Sequence, residues 1–337
     1  MRVTRETLIR IAKETVQQRR YGDRTIIAAY LTGSLLTEQP FLGGVTDIDL
    51  VFVHAEKPAV RREIAKLPSD FHIDITHNTN KDYEPPRELR VNPWLGYEIY
   101  APMLLYETQH FFEYTQASVR ATFHEPITVI QRAHNLLDHG RQIWIDLTTE
   151  IKVGPKQVAR YLKAVSHAAN AIAELNGPPL AERRFLLEFP ARAEALELPG
   201  LTTGLLGLLG ANNLDASTLA AWLPEWQAAY QSAAETGKAD ERLHPARLAY
   251  YQKAFEALLA GENPITMLWP LLRTWTLAAA VLPAGQIKSW QEACAQLGLT
   301  AEGFAQRVQG LDHYLDGIEE LLENMAAAHG LASPESR

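Results

Sequence analysis

Two aspartates one residue apart, Asp47 and Asp49, sit in the run TDIDLVFV, where they alternate with Ile48 and Leu50 ahead of Val51, Phe52 and Val53. Alternation with β-branched residues predicts a strand. Its two-residue period puts both carboxylates on one face and Ile48, Leu50 and Phe52 on the other. Carboxylates held this close repel each other unless a cation lies between them. Hard oxygen donors on neighbouring positions suit Mg²⁺, which keeps several waters and takes phosphate oxygens as further ligands. A third acid, Asp74, lies in a second alternating run, Phe71-His72-Ile73-Asp74-Ile75-Thr76, on the face opposite Phe71, Ile73 and Ile75. Paired beside the first strand, it completes a triad able to hold two metals about 3.5–4 Å apart for in-line phosphoryl chemistry. Such a triad can also deprotonate an attacking hydroxyl.

Upstream, the apolar run 26–31 leads into Gly33-Ser34, and 35–38 predicts the start of a short helix. The N–H groups of a helix start after a glycine turn point at any phosphate docked on the serine. Gly33-Ser34, a spacer of twelve residues, Asp47-Ile48-Asp49 and the later strand aspartate Asp74 together resemble the DNA polymerase β-type nucleotidyltransferase superfamily. The resemblance implies that Gly33 and Ser34 hold a triphosphate through backbone N–H and hydroxyl. It implies that Asp47 and Asp49 bind two Mg²⁺ ions, and that Asp74 binds the catalytic ion and serves as base. The implied reaction moves a nucleoside monophosphate from an NTP, taken as ATP, to a hydroxyl, with release of pyrophosphate. Many members carry an arginine shortly after the serine; here Leu35, Leu36, Thr37, Glu38 and Gln39 offer no basic side chain. Asp70 and Asp82 are fallbacks for the third acid, less well placed because neither lies inside an alternating strand. Glu84, Glu88 and Glu98 are candidates for contacting a cationic substrate, with Glu98 directed by an extended stretch.

The positioning elements follow in order. Thr4 caps a helix that runs to about Arg20, with Leu8, Ile9, Ala12 and Val16 at helical spacing. A helix is expected over 57–67, with Pro58 in its first turn and Val60, Ile64 and Leu67 on one face. Residues 81–93 form a polar loop, 94–106 read as extended, and 108–120 as a helix. From 125 onward helical periodicity takes over and no strand-like alternation returns. The helix over 155–175 carries Lys156, Arg160 and Lys163 as one basic stripe. The expected fold is therefore α+β: a mixed-sheet nucleotidyltransferase core over 1–124, an all-helical bundle over 125–332 and a disordered tail, 333–337. In similar kanamycin- and streptomycin-modifying nucleotidyltransferases a helical C-terminal domain closes the substrate cleft. That likeness implies an aminoglycoside-like hydroxyl acceptor. The basic stripe reads as a solvated face; the alternative reading is that Lys163 or Arg160 meets the triphosphate and supplies the positive charge missing after Ser34. His54 reads as a surface histidine ending the metal strand, and His167 as a core histidine. Trp222, Trp226, Trp269, Trp275 and Trp290 read as packing residues.

The whole chain sets outer bounds. Its 337 residues are comfortable for two domains, and 47% hydrophobic with 21% charged residues is a globular composition. A net charge of −8 argues against a broad nucleic-acid footprint and suits a cationic small substrate. The single cysteine, Cys294, rules out an internal disulfide and fits a reducing compartment. The N-terminus lacks the apolar core of a signal peptide. The most apolar window, 267–284, contains Pro270, Arg273 and Pro283 and reads as a buried helix rather than a membrane span. The expectation is a cytoplasmic enzyme with no membrane partner, with a homo-oligomer left open. Two alternatives stay open: a regulatory, antitoxin-like binding module of the same fold, and a transferase acting on a protein hydroxyl.

Overall fold

A computed structural model describes residues 3–149 and 152–331. The chain opens with helix α1 (Arg5–Gly22), capped where the Thr4 hydroxyl accepts the Thr7 N–H at 3.3 Å. Five strands follow among the described residues: β1 (Ile26–Thr32), β2 (Asp47–His54), β3 (Arg62–Lys66), β4 (His72–Thr79) and β5 (Met103–Glu107). They form one mixed sheet in the order β3-β4-β2-β1-β5. β2 runs parallel to β4, while β1–β2, β1–β5 and β3–β4 are antiparallel.

Alternation along the strands builds two cores. Ala29, Leu31, Ile48, Leu50, Phe52, Ile73 and Ile75 pack on one face with Leu8, Ala12 and Val16 of α1. Tyr30, Val51 and Val53 pack on the other with Ile99 of α2 (Leu95–Tyr100) and Phe112 and Val119 of α3 (Phe111–Arg120). Burying both faces fixes the register, since a slip of one residue would move every side chain to the wrong side.

Two segments depart from the expected elements. Residues 57–67 hold no helix; the short strand β3 lies there instead. Val60, Ile64 and Leu67 fit a helical face, but Arg62–Lys66 forms a ladder with β4, pairing Ile64 with Asp74 and Arg62 with Thr76. Its burial is slight, and Arg62, Glu63 and Lys66 give it the charged character of an edge strand. Residues 94–106 are extended only over β5. The Asn92 side chain accepts the N–H groups of Trp94 and Leu95 at 3.0 and 2.9 Å and turns the chain into α2, so Glu98 lies on a helix rather than a strand. The expected loop 81–93 contains short 3₁₀ helices at Asn80–Tyr83 and Pro86–Val91.

The chain divides into two compact units, Met1–Glu125 with Ala249–Ala254, and Pro126–Leu248 with Phe255–Arg337. The second is built from α4 (Pro126–Thr148), α5 (Pro155–Ala173), α6 (Phe185–Glu194), α7 (Gly200–Leu208), α8 (Ala216–Glu235), α9 (Leu248–Leu259, outside 249–254), α10 (Leu268–Ala279), α11 (Lys288–Gln296) and α12 (Ala301–Ala328). Trp226, Trp269, Trp275 and Trp290 are buried in it. Two of them bury at little polar cost: Trp226 donates to the Thr274 hydroxyl at 2.9 Å and Trp290 to that of Thr276 at 3.0 Å. His167 is a buried core histidine as expected, held neutral down to about 4 by burial, with Lys163 and His139 adding to the effect. The tail 333–337 lies outside the described residues. Among the described residues no helix is long and apolar enough to cross a membrane.

Candidate active site

The sheet places the three aspartates on one face. In the parallel β2–β4 pair Asp49 is directly opposite Asp74, and Asp47 opposite His72. Across β1 the partner of Asp49 is Thr32, the last residue before Gly33. Asp47 and Asp74 are buried, at 6% and 2% exposure, and Asp49 is half-buried. Side chains two apart on a strand, and directly opposite on its neighbour, are the closest same-face positions a sheet offers. Three carboxylates at such positions concentrate negative charge.

Gly33 and Ser34 close on this group. Gly33 adopts φ +78° and ψ −164°, a region open essentially to glycine alone. A Cβ there would fall 2.0 Å from Asp49 Oδ2 and 2.9 Å from its Cγ, so the glycine lets the backbone lie against that carboxylate. The Ser34 hydroxyl shares a hydrogen bond with Thr46 at 2.8 Å and reaches Asp47 Oδ1 at 3.5 Å. Ser34–Leu36 forms one turn of 3₁₀ helix, shorter than the expected 35–38 start. Leu35 is buried, and the Arg5 guanidinium donates to the Leu35 and Leu36 carbonyls at 2.9 and 3.2 Å. The turn is thus held from below by a core residue and from α1 by an arginine.

Three side chains of this face were not singled out in the sequence. Arg62 grips Asp74 with a two-pronged fork, Nε to Oδ1 at 2.7 Å and Nη2 to Oδ2 at 2.8 Å. His72, fully buried, has Nε2 3.8 Å from Asp47 Oδ2 and lies edge-on to the Tyr250 ring at 4.9 Å. Tyr30 shares a 2.9 Å hydrogen bond with the Tyr83 hydroxyl, which also accepts from Asn78 at 3.0 Å. Glu98 meets this network: burial pushes its carboxyl up to about 7, opposed by the charge of Arg62 and a hydrogen bond from Tyr30. It is therefore a group that exchanges a proton near neutrality.

The fallback acids do not join the face. Asp70, at φ +66°, pairs with Lys253 at 3.1 Å, and Asp82 caps its 3₁₀ turn by accepting the Thr79 N–H at 2.7 Å. Glu84 and Glu88 are exposed. His54 is buried at 3% exposure, not on the surface as expected, because it lies on the opposite sheet face in a hydrogen-bonded chain. Thr25 Oγ1 meets its Nδ1 at 2.9 Å, its Nε2 meets His77 Nδ1 at 2.9 Å, and His77 Nε2 meets Glu63 at 3.0 Å. Beyond it, a cavity of about 650 Å³ lined by Lys57, Arg61, His77, Lys81 and Asp82 opens past the far ends of β2 and β4. It shares no residue with the aspartate face. In the helical unit Lys163 is exposed, and Arg160 pairs with Asp146 at 2.7 Å.

Asp47 and Asp49 lie on one face beside the Ser34 hydroxyl and the Gly33 turn, and Asp74 is engaged by a guanidinium. Among the described residues, the group of three acidic or histidine side chains whose ligand atoms lie within 4.8 Å of one another is Glu107, His110 and Glu113, away from these aspartates. No family model and no curated protein matches this chain.

Proposed function

We propose that this chain is a nucleotidyltransferase of the DNA polymerase β-type superfamily. It would transfer a nucleoside monophosphate from an NTP, ATP first among them, to a hydroxyl of a small cationic acceptor such as an aminoglycoside, releasing pyrophosphate. One observation carries the reading: Asp47, Asp49 and Asp74 share one face of a mixed sheet in adjoining registers, with the Gly33–Ser34 turn packed on Asp49. A fold that needed only a stable sheet would not gather three costly carboxylates there.

Asp47 and Asp49 hold the Mg²⁺ ions, and Asp74 completes the set. Bound Mg²⁺ supplies charge neutralisation at the triphosphate and acidifies the acceptor hydroxyl. Ser34, through its hydroxyl and the N–H groups of its turn, holds phosphate oxygens. Asp74 takes the acceptor's proton at a carboxylate oxygen. Orientation of the two reactants accounts for most of the remaining acceleration, as is general for phosphoryl transfer.

A second reading, a binding module of the same fold that does not turn over, draws on the Arg62 fork, which occupies the third carboxylate. Pyrophosphate release separates the two. A transferase liberates it from NTP in the presence of an acceptor and loses that activity in Asp49→Asn; a binding module holds NTP and releases none.

A further inference from the structure

β2 and β4 run parallel, so both strands leave the sheet at the same end and the segments that follow them part there. The crevice past the carboxyl ends of parallel strands is a recurrent place for ligands. The cavity of about 650 Å³ lies at this end, lined from the loop after β2 and the turn after β4, and its size is that of a small-molecule site. Asp47 and His54 are the two ends of the eight-residue β2, so the cavity is about 20 Å from the aspartate face.

The chain as a whole is acidic, yet this cavity gathers Lys57, Arg61 and Lys81 against Glu56 and Asp82. Asp82 is committed to its own turn, where Oδ2 accepts the Thr79 N–H at 2.7 Å and the Thr79 hydroxyl at 3.0 Å. Arg61 stands 3.6 Å from the other Asp82 oxygen, beyond hydrogen-bond distance, and its side chain is 76% exposed. Among the described residues no carboxylate pairs with Lys57 or Lys81. Two lysine point charges and an arginine fork match a phosphate dianion, and Ala55 and Pro58 offer apolar wall to an organic body attached to it.

The buried wall of the cavity is His77, and it ends a chain of hydrogen bonds with an unusual proton count. The chain runs from the Asp23 carboxylate through Thr25, His54 and His77 to the Glu63 carboxylate, in contacts of 2.7, 2.9, 2.9 and 3.0 Å. Both ends only accept. A hydroxyl and two neutral imidazoles supply three protons for these four contacts, so one contact stays bare until a fourth proton enters. With the Thr25 hydroxyl on Asp23, the bare contact is His77 Nε2 against Glu63. Burial opposes that proton at both imidazoles, and Arg19, paired with Glu63 at 2.6 Å, opposes it further at His77. Lys57, Arg61 and Lys81 oppose it from the cavity, Glu56 and Asp82 favour it, and Phe52 stacks on the ring without charge. An anion seated among the three cations tips this balance towards the imidazolium.

We infer that the cavity past β2 and β4 is a second binding site, for a small phosphate monoester held by Lys57, Arg61 and Lys81, and that its occupation draws one proton onto the His54–His77 pair. This goes beyond the nucleotidyltransferase reading and does not depend on it. Linkage fixes the sign: a ligand that favours the protonated chain binds more tightly as the pH falls.

The test is calorimetric titration of phenyl phosphate into the full chain with EDTA present, so that no divalent ion bridges it to the aspartates. Wild type is expected to bind it, and Asp47→Asn to bind it equally well. Lys57→Gln and Lys81→Gln, at exposed positions, should each weaken it about threefold, and Arg61→Gln about tenfold. Inorganic phosphate, which lacks the organic body, should bind about tenfold more weakly than the ester. Wild-type affinity should rise about threefold between about pH 8 and pH 6.5, where the ester is still mostly a dianion. Glu63→Gln offers an amide N–H to His77 Nε2 and completes the chain without the extra proton, so it should bind as well at the higher pH and show no such rise. Absence of binding by wild type, or binding lost in Asp47→Asn and kept in the three cation variants, would overturn the cavity as a phosphate site. Equal affinity for inorganic phosphate would overturn the monoester class. A flat wild-type profile, or the same rise in Glu63→Gln, would overturn the proton coupling.

Discussion

Gly33 offers the sharpest structural test. Its φ of +78° with ψ of −164° lies where a side chain is strained, and a methyl group there would overlap Asp49 Oδ2 at 2.0 Å. Gly33→Ala therefore carries two separable costs. The backbone strain is about 1–3 kcal/mol and does not depend on the neighbour. The steric cost depends on the carboxylate, because Oδ2 and Cγ are the atoms overlapped and the Asp49 Cβ, at 3.2 Å, is only tight. In an Asp49→Ala background the steric part should vanish and the backbone part remain. A double-mutant cycle should then show a coupling of about 0.5–3 kcal/mol, the range for residues in direct contact. Unfolding followed by calorimetry reads the stability, and Mn²⁺ titration reads the site. Gly33→Ala alone should lower the melting temperature of the sheet unit by several degrees and abolish tight ion binding. Equal destabilisation by Gly33→Ala in wild-type and Asp49→Ala backgrounds would refute the argument that this glycine exists to admit the carboxylate.

Two further predictions concern groups away from the aspartates. Burial holds the imidazoles of His54 and His77 below their usual range, against the pull of Asp23 on His54 and of Glu63 on His77. The unfolded chain therefore binds protons that the folded one resists, so their contribution is fully present above 6.5 and is lost as the pH falls below it. His77→Gln should flatten the decline in melting temperature on that acid side; an unchanged slope would show that other groups set it. Lys163→Ala, at an exposed position of α5, should relieve the positive charge that helps hold the His167 imidazole down and so raise its titration, as read by the imidazole NMR shifts against pH. An unmoved His167 titration would show that burial alone sets it.

The aspartates were legible in the sequence because their pattern is local. Asp47 and Asp49 alternate with Ile48 and Leu50, whose burial dictates the face on which the acids lie. Asp74 followed by the same logic, and its position beside Asp49 needed only that the two strands pair. Arg62 was hidden for the opposite reason. Val60, Ile64 and Leu67 match a helical face as well as five residues of edge strand can match a sheet, and only the ladder to β4 decides between them. Read as a strand, 62–66 would have put Arg62 on the face of Asp74. His54 was misjudged because the groups that bury it, Thr25 and His77, are distant in sequence. The turn into α2 was signalled by Asn92, whose side chain accepts the Trp94 and Leu95 N–H groups, but the apolar residues after it masked the signal.

The account turns on whether the aspartate face holds nucleotide through a divalent ion. The direct measurement is calorimetric titration of ATP, GTP, CTP and UTP into the full chain, with and without Mg²⁺, for wild type and Asp47→Asn. The account predicts that at least one NTP binds wild type only with Mg²⁺ present, and that Asp47→Asn, still folded, loses that binding. Absence of binding by all four, or equal binding by Asp47→Asn, would contradict it.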